Sequence, residues 1–255
     1  MKCLILAAGY ATRLYPLTKN FPKPLLKVKN KTIIDWLLDD LENSDKIDEY
    51  IIVTNRKFID YFNDWKLNSN LSKKITIIDD KTTSNENRLG AVCDIALVIE
   101  KLNINDDMLV LAGDNLLDFS LKKFIEFYEK KNSTCIMRYY TDDIKQLQKS
   151  ANIKIDSKDK VLNIIEKPQT PISNWCCPAF YIYVKEDVKK VKIALKDGCK
   201  KDAPGSFICW LYNKSNVYAY QMPGNRYDIG TIESYDEVNK NYNGISKRKG
   251  KLKWR

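Results

Sequence analysis

The chain has 255 residues, 44% of them hydrophobic, which is enough to bury one substantial core. Its formal charge of +10 is concentrated at the end, where the last nine residues, KRKGKLKWR, carry six basic groups and no acid, while the rest is close to balance. There is no histidine, so every mechanism that needs imidazole as base, nucleophile or metal ligand is excluded. Chemistry has to rest on carboxylates, lysine, arginine and metal.

No run reaches the roughly eighteen consecutive apolar residues that cross a bilayer, and the first apolar stretch is too short for a signal peptide. A cytoplasmic protein is expected. The seven cysteines are odd in number and never spaced C-x-x-C, so they are read as reduced, mostly buried small hydrophobes and not as a disulfide framework or zinc site. Residues 1–245 are read as one domain and 246–255 as a solvated, disordered basic tail. Aromatic and basic residues do not interleave on one platform, so nucleic acid is not an expected partner.

In chain order, residues 2–7 (KCLILA) form a short apolar run that ends in a glycine-containing loop, the pattern of a buried parallel strand. A loop with three X-Pro pairs follows. Thr32 then caps a helix whose Ile33, Ile34, Leu37, Leu38 and Leu41 recur at helical spacing, with Asp35 where a capping-box acid belongs. Strand-like runs at 50–54, 75–78 and 108–112 alternate with helices at 56–65 and 90–101, which argues for a doubly wound, mostly parallel α/β sheet of Rossmann-like type. After a helix at 121–131 the strand-like runs STCIMRYY, ANIKID, VLNIIE and AFYIYV follow one another closely, as a small antiparallel subregion would. Helices at 186–195 and 205–212, a strand at 217–221 and a last helix from Ile232 complete the reading.

The stretch LILAAGYATRLYPLTKNFPKPLL, residues 4–26, carries the most chemistry. Leu6, Ala7, Ala8 and Gly9 lead from the buried strand into a loop of small residues, where backbone N–H groups can approach a phosphate or base. Small residues alone would serve any strand-to-helix connection. Arg13 and Lys23 on the same proline-stiffened loop favour polyphosphate chemistry, since a guanidinium and an ammonium can follow charge onto departing pyrophosphate. Farther on, LVLAGDN ends a strand in Asp114, a hard oxygen ligand at the rim where open α/β sheets bind ligands.

These segments resemble the sugar-1-phosphate nucleotidyltransferase family, which includes glucose-1-phosphate thymidylyltransferases. Its opening motif is roughly L-A-G-G-x-G-T-R-L-x-P-L-T followed by P-K-P-L. This chain reads LAAGYATRLYPLT and PKPL, with Ala8 and Ala11 where glycine is usual. The resemblance implies that Asp114 and Asp228, in RYDIGT, hold Mg²⁺. It implies that Glu166 and Lys167, in IIEKP, face the acceptor's hydroxyls and phosphate, and that Gly90, in NRLGAV, belongs to a base-binding loop. Gly90 also opens a helix, whose N-terminus favours negative charge. Arg88 reaches base or phosphates, or is simply solvated. Read alone, Glu-Lys-Pro is an ordinary strand exit and Gly-Asp an ordinary turn; the order of the matches from residue 4 to 231 joins them.

The implied reaction is attack of an acceptor phosphate on the α-phosphorus of an NTP, a pyrimidine one preferred, with release of pyrophosphate and no covalent enzyme intermediate. Where hexose-binding members of the family place glycines, this chain has Ala151 and Ala179, which points to an unusual sugar phosphate or a smaller phosphorylated alcohol such as phosphocholine. Tyr181 is assigned to the acceptor side; Trp175, Trp210 and Tyr181 make a substrate wall or belong to the core. The competing readings are a nucleotide-binding regulatory module without turnover, disfavoured by the intact charged set, and an NAD-dependent oxidoreductase, disfavoured by the lack of G-x-G-x-x-G after the first strand. The sequence shows no hexapeptide repeats of an acyltransferase β-helix. Family members are often dimers or tetramers, so a homo-oligomer is compatible with the resemblance.

Overall fold

The computed structural model describes residues 1–245; the predicted tail lies outside the described residues. Strand and helix alternate through β1 (Lys2–Leu6), β2 (Lys27–Val28), β3 (Lys31–Thr32), α1 (Ile33–Leu41), β4 (Glu49–Thr54), α2 (Ile59–Leu67), β5 (Lys74–Asp79), α3 (Ala91–Lys101), β6 (Met108–Ala112), β7 (Asn115–Leu117) and α4 (Lys122–Lys131). The chain continues through β8 (Thr134–Tyr140), α5 (Ile144–Lys149), β9 (Ala151–Ile155), β10 (Val161–Glu166), β11 (Trp175–Cys177) and β12 (Phe180–Tyr183). Then come α6 (Lys185–Val188), α7 (Val191–Lys196), α8 (Gly205–Leu211), β13 (Val217–Gln221), β14 (Arg226–Asp228) and α9 (Ile232–Asn241).

Ten strands form one sheet in the order β10-β9-β11-β8-β12-β6-β1-β4-β5, with β13 beside β8. The pairings set β10, β11 and β12 against the direction shared by the other seven. The mostly parallel sheet and its small antiparallel subregion are therefore both present. β1 lies between β4 and β6, so the chain leaves it at the crossover point where open α/β sheets form a ligand crevice.

Both faces of the sheet are covered. Cys3 and Ile5 of β1 point into one apolar layer with Ile34 and Leu37 of α1, Phe62 of α2 and Phe124 of α4. Leu4 points into the opposite layer with Val92 and Ile95 of α3 and Phe207 of α8. Burial on both faces explains why KCLIL reads as a continuous apolar run. Thr32 and Asp35 form the expected capping box, each side chain accepting the other's backbone N–H at 3.2 Å, an arrangement worth about 1 kcal/mol.

The sequence reading did not include the short strands β2, β3, β7, β11 and β14, and two helices differ from it. The single helix expected over 186–195 is broken into α6 and α7 at Lys189 and Lys190. There the buried Asp187 gathers Thr134, Ser215 and Lys190. The helix at 144–149 was not expected, because Leu147 is its one buried residue and leaves no apolar period to read.

Candidate active site

The site begins where β1 ends. Ala7 N–H still joins the sheet through the Val53 carbonyl at 2.9 Å, and the Ala8 carbonyl accepts from the Asn55 amide at 3.0 Å. The backbone N–H groups of Ala8, Gly9, Tyr10 and Ala11 then find no acceptor among the described residues. A run of free donors at the end of a parallel strand is a cradle for anionic oxygens. Gly9 is exposed, with nothing within 4 Å of the place a Cβ would occupy, so the approach to these donors is open. Leu6 sits at the strand end, its carbonyl taking the Gly113 N–H at 3.0 Å. Gly113 is needed there: a Cβ would come within 2.9 Å of Ile5 and 3.1 Å of the Leu6 carbonyl oxygen.

That close approach brings Asp114 to the mouth of β1. Pro22 and Pro24 hold Lys23 in a short 3-10 turn, and its buried side chain donates from Nζ to Asp114 Oδ2 at 2.8 Å. Burial pushes the Asp114 carboxyl up, but the Lys23 charge and hydrogen bond, helped by Arg226, outweigh it and hold the carboxyl below its ordinary range. The antiparallel pairing of β7 and β14 sets Asp228 opposite Asn115, one residue beyond Asp114. The two aspartates are thus neighbours, although some 110 residues separate them in sequence. Arg13, exposed, has its guanidinium nitrogens 3.9 and 4.0 Å from where a Cβ on Gly230 would stand, two residues past Asp228.

The structure also shows residues that sequence reasoning passed over. Arg226, inside the quoted RYDIGT segment, donates to Asn115, lies 3.6 Å from Asp228, and stacks 5.6 Å from the Tyr139 ring. Tyr139 Oη and Ser150 Oγ are 3.2 Å apart, and the Ser150 carbonyl accepts the Lys167 N–H at 3.2 Å. A continuous series of contacts therefore joins the aspartates to Glu166 and Lys167 at the end of β10, the pair that the resemblance assigns to the acceptor. Burial raises the Glu166 carboxyl above its usual range against the opposing charges of Lys167 and Lys200. The cue in sequence was an arginine two residues before an aspartate, which by itself signals nothing.

One assignment is corrected. Tyr181 lies in the core, 2% exposed and stacked on Tyr183 at 5.8 Å. The two-residue period of β12 sends Phe180 and Ile182 to one apolar layer and Tyr181 and Tyr183 to the other, so its ring is not on an acceptor surface. At the N-terminus of α3 the first two N–H groups are taken up within the protein. Ala91 and Val92 donate to the carbonyls of Asp202 and Lys201 at 3.2 and 2.9 Å, and a Cβ on Gly90 (φ 92°) would stand 2.6 Å from the Lys201 carbonyl oxygen. Arg88 is held on Asp202 at 3.0 Å and on the Asn85 carbonyl at 2.9 Å. Gly90 is required by this packing against another loop.

The family model described as nucleotidyl transferase matches residues 2–244, and the chain belongs to that family. It is 30% identical over 242 residues to a protein of Sulfolobus acidocaldarius named as a mannose-1-phosphate guanyltransferase, covering 94% of this chain and 62% of that one. It is 26% identical to a glucose-1-phosphate adenylyltransferase of Fervidobacterium nodosum, covering 92% of this chain and 60% of that one. The chain thus spans about three-fifths of the length of these relatives. A UDP-glucose pyrophosphorylase solved with UDP-glucose shares the fold with a TM-score of 0.80 at 22% identity, covering 94% of this chain and 97% of that one. A Bacillus anthracis protein named as a glucose-1-phosphate thymidylyltransferase does so with a TM-score of 0.78 at 24% identity, over 98% of both chains. Among the described residues no helix is long and apolar enough to cross a membrane.

Proposed function

We propose that the protein is a Mg²⁺-dependent sugar-1-phosphate nucleotidyltransferase, which converts an NTP and a sugar 1-phosphate to an NDP-sugar and pyrophosphate. The supporting observation is the convergence on one rim of Arg13, Lys23, Asp114 and Asp228 beside the free N–H groups of residues 8–11. An acceptor phosphate oxygen attacks the α-phosphorus in line; the new P–O bond forms as the bond to the β-phosphate oxygen breaks, and pyrophosphate leaves. The backbone donors and Arg13 receive the charge that builds on the leaving group. Lys23 is poised beside them, and Lys167 holds the acceptor phosphate while Glu166 takes its hydroxyls.

Asp114 and Asp228 would hold the ion. No group of three metal-ligating side chains gathers among the described residues, so the rest of the shell would come from nucleotide phosphates and water, which suits Mg²⁺. When bound, the ion supplies a divalent charge that ties those phosphate oxygens to the protein. Asp114, held ionised, fits that role.

The test is pyrophosphate release with Mg²⁺ across CTP, UTP, dTTP, ATP and GTP against a set of hexose 1-phosphates, with phosphocholine as an acceptor outside the class. The names of the relatives span guanyl, adenylyl, uridyl and thymidylyl groups, so those four nucleotides are included, and CTP completes the pyrimidines. Release with a sugar 1-phosphate that is lost in Asp114→Asn is the expected result. Silence throughout, or release with phosphocholine alone, would overturn the reading. Ala151 and Ala179 narrow the acceptor side, so glucose 1-phosphate is expected to be a poor acceptor beside another sugar phosphate.

A further inference from the structure

The loop between α7 and α8 plays no part in the chemistry above, yet it touches both sides of the site. On the nucleotide side it is fastened at three points. Lys201 and Asp202 accept the first two N–H groups of α3, Gly90 leaves room for the Lys201 carbonyl, and Arg88 reaches both oxygens of Asp202 at 3.0 and 3.4 Å. The ion pair is exposed and by itself worth little. Two backbone hydrogen bonds and a close packing contact make the fastening.

On the acceptor side the same loop runs into Gly205, the first residue of α8. Glu166 Oε2 lies 2.2 Å from where a Cβ on Gly205 would be built, and the Ala151 methyl lies 3.5 Å from it. The carboxylate of Glu166 therefore rests on bare backbone, in space that any other residue would fill. Lys167 is also felt from this loop, since its charge adds to that of Arg88 in holding the Asp202 carboxyl low.

We propose that residues 201–205 form a strap that positions the acceptor pair, with Gly205 seating the Glu166 carboxylate and Asp202 anchoring the strap to the nucleotide-side loop at Arg88. Gly205 and Asp202 are positioning residues; neither touches substrate. The proposal rests on the nucleotidyltransferase reading for the identity of the acceptor and for the nucleotide role of the loop that carries Arg88 and Gly90, and on the geometry alone for the seating of Glu166. A strap of this kind makes acceptor binding depend on a loop that belongs to the nucleotide side.

Gly205→Ala displaces Glu166 by about 1 Å, a misplacement that can cost on the order of tenfold to a hundredfold in a positioned group's effect. With the NTP and hexose 1-phosphate that release pyrophosphate fastest, KM for the sugar phosphate is expected to rise about tenfold while KM for the NTP stays within about twofold. An unchanged acceptor KM, or an equal rise in both, overturns the proposal. Asp202→Asn, a surface change that should leave folding intact, is expected to raise the acceptor KM in the same direction by less; no rise overturns the anchoring. Amide hydrogen exchange over residues 161–168 gives a readout that needs no activity. It should be faster in Gly205→Ala than in the parent protein, and equal rates overturn the seating of Glu166. If the parent releases no pyrophosphate with any pair, the function reading fails and exchange alone decides the strap.

Discussion

The two sides of the rim are built in different ways. On the side proposed to bind the nucleotide the groups arrive on loops that leave the same end of neighbouring parallel strands, so Lys23 after β1 meets Asp114 after β6 because topology puts both ends together. On the side proposed for the acceptor Glu166 and Lys167 end an antiparallel edge strand, and their surroundings come from distant pieces: Ser150 before β9, Tyr139 on β8 and Gly205 on α8. The first side follows from the fold, whereas the second depends on individual contacts that another sequence on the same fold need not make.

The largest expected effect lies on the first side. Lys23→Met removes the cation that holds Asp114 and leaves that carboxylate without its partner, while Pro22 and Pro24 keep the turn in place. Loss of one preorganised electrostatic group costs about 10²–10³ in kcat. Steady-state kinetics should show kcat falling by that order, in contrast to the KM effect expected for Gly205→Ala across the rim. If Lys23→Met kept most of its kcat, the ion pair would be structural and the two sides would not differ in the way described.

The same contrast decides what the sequence made legible. β6 and β10 were read at their observed bounds, and Lys23, Asp114 and Asp228, singled out by short motifs, lie together because topology turns motif order into proximity on that side. Arg226, Tyr139 and Gly205 were passed over. Their roles come from a ring lying near a guanidinium, or from a carboxylate filling the space above a glycine, and neither leaves a periodic mark. Tyr181 was misplaced for a related reason. A tyrosine in a strand looks the same in sequence whether its ring faces a pocket or, as here, a covering helix.

A second carboxylate on the nucleotide side sharpens the contrast with Asp114. Asp94, on α3, is 6% exposed, its Oδ1 has no partner, and its pKa is raised to about 7, first by burial and then by the charge of Asp80. Thr82 satisfies Asp80, and Tyr10 Oη stands 3.1 Å from the Thr82 hydroxyl, which places the pair behind the loop that follows β1. In the native protein Asp94 keeps its proton where the unfolded chain has lost it. Its contribution to stability is therefore complete below pH about 4 and is lost as pH rises to about 7, on the order of 4 kcal/mol at most. Asp94→Asn should remove that loss. Urea unfolding is expected to show the variant gaining on the parent from pH about 4 upward, with the gain levelling above about 7. A difference independent of pH would mean that Asp94 is ionised in the folded protein.

The smallest effect concerns backbone strain, which each side carries once at the site. Ala11 (φ 48°) and Lys167 (φ 48°) are both left-handed, a region that costs a residue with a Cβ roughly 1–2 kcal/mol. Lys167 supplies a charged side chain that glycine cannot replace, so strain there accompanies the phosphate-binding role proposed for it. Ala11 supplies a methyl group only, at a position where the family motif has glycine, and the Thr18 hydroxyl holds its carbonyl at 2.8 Å. Ala11→Gly should release the strain and lose part of the gain to the greater freedom of glycine in the unfolded chain. The net expectation is stabilisation by about 0.5–1 kcal/mol, seen as a rise in Tm of about 2 °C. No rise would mean that the loop relaxes away from the left-handed conformation in solution, and the free N–H groups of residues 8–11 would then be less fixed than this arrangement requires.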